Sequence, residues 1–283
     1  MTPQPAKTLS QINLHDYKLI VFDIDGTLVG PSHILDPYTR DVLLSLRDHG
    51  IYYTLATGKN LPATQQIADD LELELPLVLS NGSMIETRHG EILAKSVLPL
   101  DIIKRVVNIC EEGNRNLVIY IDNDIIMKEM NEDIFPIYNQ VTYGIVEIGQ
   151  WNTIKNRFSE VNKCLIIEQH IPQNLISLEK RFKQELGAQS DTIFTSTKLL
   201  EVLPKGITKV TGIQSLADSL GVEMNEVMAF GDYDNDIEML TAAGLGVAVE
   251  NGSAAAKASA DLVIEPCDQN GPAKFLEKLM QMP

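Results

Sequence analysis

The sequence predicts an α/β fold: a doubly wound parallel sheet whose chain is interrupted by an inserted α+β module. From Lys18 to Ser80, short apolar runs alternate with amphipathic helical patterns, which implies parallel strands covered on both faces. The same alternation returns after Lys205 and continues towards the C-terminus. Between these segments, from about Ser83 to Leu203, the strand candidates are weaker and more amphipathic. That pattern suits an antiparallel sheet with helices on one face.

Each element has its own signal. "KLIVF" is a buried strand. "LDPYTRDVLLSLRDHG" is a helix with Asp36 at the N-cap, Pro37 at the first helical position and Gly50 just past the end. Its apolar Val42, Leu43 and Leu46 share one face. "IYYTLA" is the second strand, a helix follows "TGKN" through Ile67 to Leu71, and "LPLVLS" is the third strand. In the middle, the strand candidates are "GEILAKSV", "NLVIYID", "DIIMKEM", "KCLIIEQ", "DTIFTST" and "KLLEVL". The helices there are "LDIIKRVVNICEE" and "PQNLISLEKRFKQEL". Afterwards come helix "TKVTGIQSLADSLG", strand "EVMAFG", helix "DNDIEMLTAAG" ended by Gly244, strand "LGVAVE", helix "AAAKASA", strand "DLVIE" and a last helix "GPAKFLEKLMQM".

The bulk properties set limits. A chain of 283 residues that is 44% hydrophobic and 22% charged supports one large or two modest domains with a true core. A net charge of −16 repels polyanions, so neither nucleic acid nor an anionic membrane is an expected partner. Cys110, Cys164 and Cys267 are odd in number and far apart, which fits buried thiols in a reducing compartment rather than a disulfide or zinc framework. The N-terminal stretch is polar, without the apolar run of a signal peptide, and is expected to form a loose tail through residue 16. No run approaches the roughly 18 apolar residues of a membrane span. A cytoplasmic location is expected.

Four short motifs carry chemistry. Asp23 and Asp25 stand at the carboxyl end of the first strand, with Gly26 and Thr27 after them. Open parallel sheets bind ligands at that edge. Two carboxylates so close repel unless a cation neutralises them, although alone this motif also fits a solvated turn. "GDYDNDIEML" places Asp232, Asp234, Asn235 and Asp236 after another strand. Helix capping accounts for one or two of these acids. An EF-hand does not, because Ile237 and Ala243 stand where Gly and Glu are required. In "ATGK", Thr57, Gly58 and Lys59 offer a hydroxyl and backbone N–H groups to phosphate oxygens, or form an ordinary turn. "PKGITK" brings Lys205 and Lys209 to a helix start, to neutralise a phosphoryl group or simply to be solvated.

Taken in order, "DIDGTL", "ATGK", "SNGS", "PKGITK" and "GDYDNDIEML" resemble the motifs of the haloacid dehalogenase superfamily. More narrowly, the chain resembles the Cof-type phosphatases, and "AGLGVAVENG" and "DQNGPAKFL" match in character. Lys59 where Arg is frequent, Val210 where Gly is common and "ENGS" in place of an Asn-Ala pair depart from the pattern. The resemblance implies a Rossmann-like core from residues 17–83 and 204–283, with an inserted α/β cap over residues 84–203 and hinges near Gly82 and Pro204.

The resemblance also implies roles. Asp23 is the nucleophile and Asp25 the general acid and base. Thr57, Gly58, Lys209 and Asn235 bind phosphate. Asp23, Asp25 through its backbone carbonyl, Asp232 and Asp236 hold or support Mg²⁺, with Asp236 alternatively supporting Lys209, and Asp234 lies at the surface. The expected activity is Mg²⁺-dependent hydrolysis of a small phosphorylated metabolite, a sugar phosphate or phosphorylated cofactor, by a monomer or homodimer. A phosphomutase and a non-catalytic regulatory relative are the alternatives. Arg88, Arg105, Arg115, Arg157 and Arg181 are candidates to contact a second anionic group or to be solvated cap residues.

Overall fold

The computed structural model describes residues 9–282. The chain begins with strand β1 (Leu19–Phe22), then helix α1 (Pro37–Ser45), β2 (Tyr52–Leu55) and α2 (Leu61–Asp70). Strands β3 (Leu77–Leu79), β4 (Met84–Glu86) and β5 (Ile92–Lys95) follow. The inserted part holds α3 (Leu100–Glu112), β6 (Asn116–Ile121), β7 (Asp124–Met127), a short α4 (Phe135–Tyr138), β8 (Ile145–Glu147), β9 (Lys163–Ile167), α5 (Gln173–Glu185), β10 (Ser190–Ser196) and β11 (Leu199–Pro204). The chain returns through α6 (Lys209–Leu220), β12 (Val227–Gly231), α7 (Ile237–Ala242), β13 (Leu245–Val249), α8 (Ala254–Ser259), β14 (Leu262–Ile264) and α9 (Gly271–Met280).

The core is a parallel five-stranded sheet in the order β14-β13-β12-β1-β2. Its strands are apolar on both sides because both sides are covered. In β1, Ile20 and Phe22 pack into the layer that holds Leu43 of α1, Ile67 of α2 and Leu276 of α9, while Leu19 and Val21 face Ile213 and Ala217 of α6. Asp36 accepts from the Tyr38 N–H at 2.9 Å, and Gly50 ends the following turn in the left-handed region at φ 69°.

A six-stranded sheet, β10-β11-β9-β6-β7-β8, forms the cap, antiparallel except for the β7–β8 pair. In β9, Cys164 and Ile166 face α3 and α5 through Ile103, Val106, Leu175 and Phe182. Leu165 and Ile167 face the other way and pack with Val118, Tyr120 and Tyr138. By strand alternation, Lys163 also points to this second face, away from the cap helices.

Two expectations change. β3 is not a further parallel strand of the core sheet. It pairs antiparallel with β4 in a separate three-stranded sheet with β5, and runs beside the end of β2 through a parallel bridge, Ala56–Val78, with the Thr57 N–H on the Val78 carbonyl at 2.9 Å. The turn at Ser80, Asn81 and Gly82, all left-handed at φ 50°, 54° and 95°, reverses the chain at once and lays β4 back against β3. The loose tail is also revised. Residues 1–8 lie outside the described residues, but residues 9–16 form two 3-10 turns and bury Ile12 and Leu14 in the core. The stretch is polar on average, yet these two side chains are apolar enough to seal one edge of the sheet. The three cysteines are unpaired and buried.

Candidate active site

Three strand ends build the site. Asp23 directly follows β1, its N–H continuing the ladder to the Phe230 carbonyl at 2.9 Å. Asp232 follows the adjacent β12, and Thr57 follows Ala56 after β2, with the Ala56 N–H on the Phe22 carbonyl at 2.8 Å. Parallel pairing thus places the Asp23, Thr57 and Asp232 motifs along one edge.

The turn after Asp23 is tight. Gly26 has φ +83°, and a Cβ there would lie 2.3 Å from the Asp232 Oδ2 atom, so the backbone passes directly against that carboxylate. Asn251 donates to the Gly26 carbonyl at 2.7 Å, and Thr27 Oγ1 donates to Asp232 Oδ1 at 3.3 Å.

Lys209, the first residue of α6, is fully buried. Its ammonium reaches Asp23 Oδ1 at 2.5 Å and Asp236 Oδ1 at 2.6 Å. The second Asp236 oxygen accepts from the Asp232 and Tyr233 N–H groups at 2.9 and 3.1 Å. Both Asp236 oxygens are therefore engaged, and this residue stands behind Lys209 and the acidic loop. Asp234 accepts from Ser253 Oγ at 3.0 Å, away from the cluster.

Carboxylate oxygens of Asp23, Asp232 and Asp236 lie within 4.8 Å of one another around a single ammonium. Burial, with Asp236 and Asp232 beside it, holds the Asp23 carboxyl well above the usual range despite Lys209. Burial and Asp236 push Asp232 up to about 7. Burial alone would lower the Lys209 ammonium, but Asp23 and Asp236 outweigh it and raise it. Carboxylates in excess of cations, held at oxygen-only spacing, fit a hard divalent cation, which would restore their ionised form.

Asp25 is in a different environment. Its Oδ1 is shared by His33 Nδ1 and Lys59 Nζ, each at 2.7 Å. Burial raises its pKa, but the bonds from His33 and Lys59 and the Lys59 charge outweigh this and lower it. Asp23 and Asp25 thus diverge although one residue apart, the first held towards its protonated form and the second towards its ionised form.

Asn235 donates to Asn81 Oδ1 at 3.1 Å, and the Asn81 amide donates to Glu201 Oε2 at 2.8 Å. Gly58 packs on Asn81, and its carbonyl accepts from Lys163 Nζ at 2.5 Å. His33, Asn81, Lys163 and Glu201 have no role in the reading of the sequence. The only local signal was "SNGS", because the others join through the fold. The five arginines considered for a second anionic group are engaged elsewhere. Arg88 pairs with Asp69, Arg115 with Glu168, Arg157 with Asp124 and Arg181 with Glu112, while Arg105 donates to the Glu185 carbonyl.

This arrangement, acids at adjacent strand ends around a buried lysine with a Thr-Gly loop on the same sheet edge, suits phosphoryl chemistry. The chain belongs to the haloacid dehalogenase-like hydrolases, whose family model matches residues 20–276. It is 27% identical over 270 residues to the 5-amino-6-(5-phospho-D-ribitylamino)uracil phosphatase of Bacillus subtilis, covering 93% of this chain and 98% of that protein. It is 30% identical over 236 residues to an HMP-PP phosphatase of Escherichia coli, covering 83% and 84% of the two chains. Among solved structures, a haloacid dehalogenase-like hydrolase from Bacteroides thetaiotaomicron superimposes with a TM-score of 0.83 at 26% identity, over 93% of this chain and 99% of that one. A subclass IIB sugar phosphatase shares the fold with a TM-score of 0.80 at 24% identity, over 94% and 100%. The protein is a phosphatase of this family, a hydrolase of phosphate monoesters. No helix among the described residues is long and apolar enough to cross a membrane.

Proposed function

We propose that the protein is a Mg²⁺-dependent phosphatase that hydrolyses a small phosphorylated metabolite, a sugar phosphate or a phosphorylated cofactor, through an aspartyl-phosphate on Asp23. The observation that carries this reading is the contact of Asp23 with Lys209 at 2.5 Å within the acidic cluster, at the strand edge that also presents Thr57. Asp23, Asp232 and the Asp25 carbonyl would hold Mg²⁺, whose charge would neutralise phosphate oxygens and keep the nucleophile ionised.

Asp23 attacks phosphorus in line and the P–O bond to the alcohol breaks. Asp25 protonates the departing oxygen and then, as carboxylate, takes a proton from the water that cleaves the acyl phosphate. For the first half-step Asp25 must carry a proton, although His33 and Lys59 favour its ionised form. An incoming phosphate dianion opposes that bias by like-charge repulsion. Lys209, the Thr57 hydroxyl, the Gly58 N–H and Asn235 hold the phosphoryl oxygens, because this transfer depends on positioning and charge neutralisation.

The test is phosphate release from a panel with Mg²⁺ and with chelator, for wild type and Asp23→Asn. The panel includes sugar phosphates, a generic aryl phosphate, HMP-PP and 5-amino-6-(5-phospho-D-ribitylamino)uracil, the last two suggested by the relatives' names. Metal-dependent release that vanishes in the variant supports the reading. Wild type that releases nothing from any ester with Mg²⁺ present overturns it.

A further inference from the structure

All three carbonyls of the loop Thr57-Gly58-Lys59 are taken by hydrogen-bond donors. The Thr57 carbonyl accepts from the Asn81 N–H at 2.9 Å and the Lys59 carbonyl from the Ser80 N–H at 2.8 Å. The middle one, Gly58, accepts from the Lys163 ammonium at 2.5 Å. The first two tethers come from the adjoining turn, and the third comes from the cap. There are no cis peptide bonds among the described residues, so each carbonyl fixes the following N–H in the opposite direction. The N–H groups of Gly58, Lys59 and Asn60 are thereby turned away from the tethers. Those of Gly58 and Asn60 have no hydrogen-bond partner among the described residues, and the Lys59 N–H rests on Thr57 Oγ1 at 3.2 Å. Backbone N–H groups free of internal partners, as those of Gly58 and Asn60 are, can line an anion-binding concavity.

Lys163 is a strange residue to find there. It is 1% exposed in a protein interior, where a lysine requires a partner. Glu201 supplies one at 3.2 Å, and the Tyr120 ring lies 4.2 Å from the ammonium. Glu201 is itself held by the Asn81 amide, whose oxygen takes Asn235. A cap sheet has no packing need for a buried ion pair, since an apolar pair of similar volume is often as stable.

We propose that Lys163, aimed by Glu201 and Asn81, is a positioning residue that turns the Thr57–Asn60 loop's N–H groups toward the substrate phosphate. The phosphate site is thus completed by the cap, although none of these three side chains touches the reacting atoms. The inference rests on the phosphatase reading of the same site.

The decisive variant is the pair Lys163→Met with Glu201→Gln, which leaves no unpaired buried charge and keeps an oxygen for the Asn81 amide. Inorganic phosphate is the probe, titrated calorimetrically with Mg²⁺ present, alongside KM and kcat on an aryl phosphate and the unfolding midpoint. The expected result is a folded protein whose phosphate affinity falls roughly 10-fold. KM rises in parallel and kcat falls by less. Asn81→Gly is the second variant. Glycine accepts the left-handed backbone at φ 54° while the amide is removed, and weaker phosphate binding is expected again. Both variants binding phosphate within about 2-fold of wild type would overturn the inference. If the paired variant does not fold, Asn81→Gly decides on the same criterion. Wild type that binds no phosphate removes the phosphatase reading itself, and the inference with it. Wild-type binding with unaltered variants removes only the tether.

Discussion

Lys209 and Asp236 form an ion pair at 2.6 Å in which neither side chain meets solvent, and the same ammonium contacts the proposed nucleophile Asp23. One cation therefore serves two carboxylates in a medium where charge is poorly screened. Removing it leaves both uncompensated, which for a buried pair costs about 3–5 kcal/mol. Lys209→Met is expected to lower stability by that amount in denaturant titration and to abolish turnover. A stable but inactive variant would show that the lysine serves phosphate alone.

Asp23→Asn removes the nucleophile while leaving Lys209 its Asp236 partner. The expected outcome is a folded protein with turnover reduced about 10⁴-fold or more, measured as phosphate release beside a melting curve. Residual activity near wild type would exclude Asp23 as the nucleophile.

Asp25 is held ionised by His33 and Lys59. Asp25→Asn is expected to lower kcat about 10²- to 10⁴-fold. Lys59→Met removes a cation that lowers the Asp25 pKa, so that pKa rises. The alkaline limb of the kcat/KM profile, which follows loss of the proton that Asp25 gives to the leaving oxygen, should then move to higher pH by about 1 unit. An unmoved limb in the pH–rate profile would separate Asp25 from the observed titration.

Without metal, Asp23 and Asp232 have raised pKa values in the folded protein, Asp232 at about 7. A raised carboxyl stabilises the folded state while it keeps its proton. That contribution is complete below the unfolded value near 4 and is lost as pH rises through about 7. Mg²⁺ replaces the proton as the neutralising charge. The rise in melting temperature on adding Mg²⁺ should therefore be larger at pH 8 than at pH 5. The difference between scans with and without metal isolates this cluster from carboxylates such as Glu168 and Asp191, whose pKa values are lowered. An equal rise at both pH values would place the ion elsewhere.

Gly26→Ala tests the close approach at the turn. The new methyl would enter the space of the Asp232 carboxylate, 2.3 Å from Oδ2, at φ +83°. A loss of about 2 kcal/mol in stability and at least a 10²-fold loss in turnover are expected. Kinetics with saturating Mg²⁺ check it, since wild-type rates would mean that Asp232 can move without consequence.

Much of this site was legible because its signals are local. Asp23, Asp232 and Thr57 each end an apolar run that can only be a strand, and strand ends in a parallel sheet share an edge. Lys209 was legible as a helix-start lysine but not as a buried one. Its burial is set by Asp23 and Asp236, 186 and 27 positions away. Lys163 and Glu201 had no signal of their own, since each looks like a polar residue in an amphipathic strand. Their meaning arises only when two cap strands meet the turn at Asn81. The pairing of β3 was hidden for a related reason: apolar character marks a strand, but the left-handed turn at Ser80 and Asn81 brings β4 back against it.

The interrupted order of the core has a consequence during synthesis. β1 carries Asp23 and emerges early, yet its partner β12 and the lysine and aspartates that complete the site lie beyond the cap. The cap has its own apolar clusters and can collapse while the first strand still waits for its neighbour. A chain cut short before β12 would expose the run Leu19–Phe22 and hold a lone carboxylate, with no way to assemble half an active site. The proposed nucleophile thus meets its lysine and aspartates only in a chain translated through its final third, and shorter products are marked for clearance by exposed apolar surface.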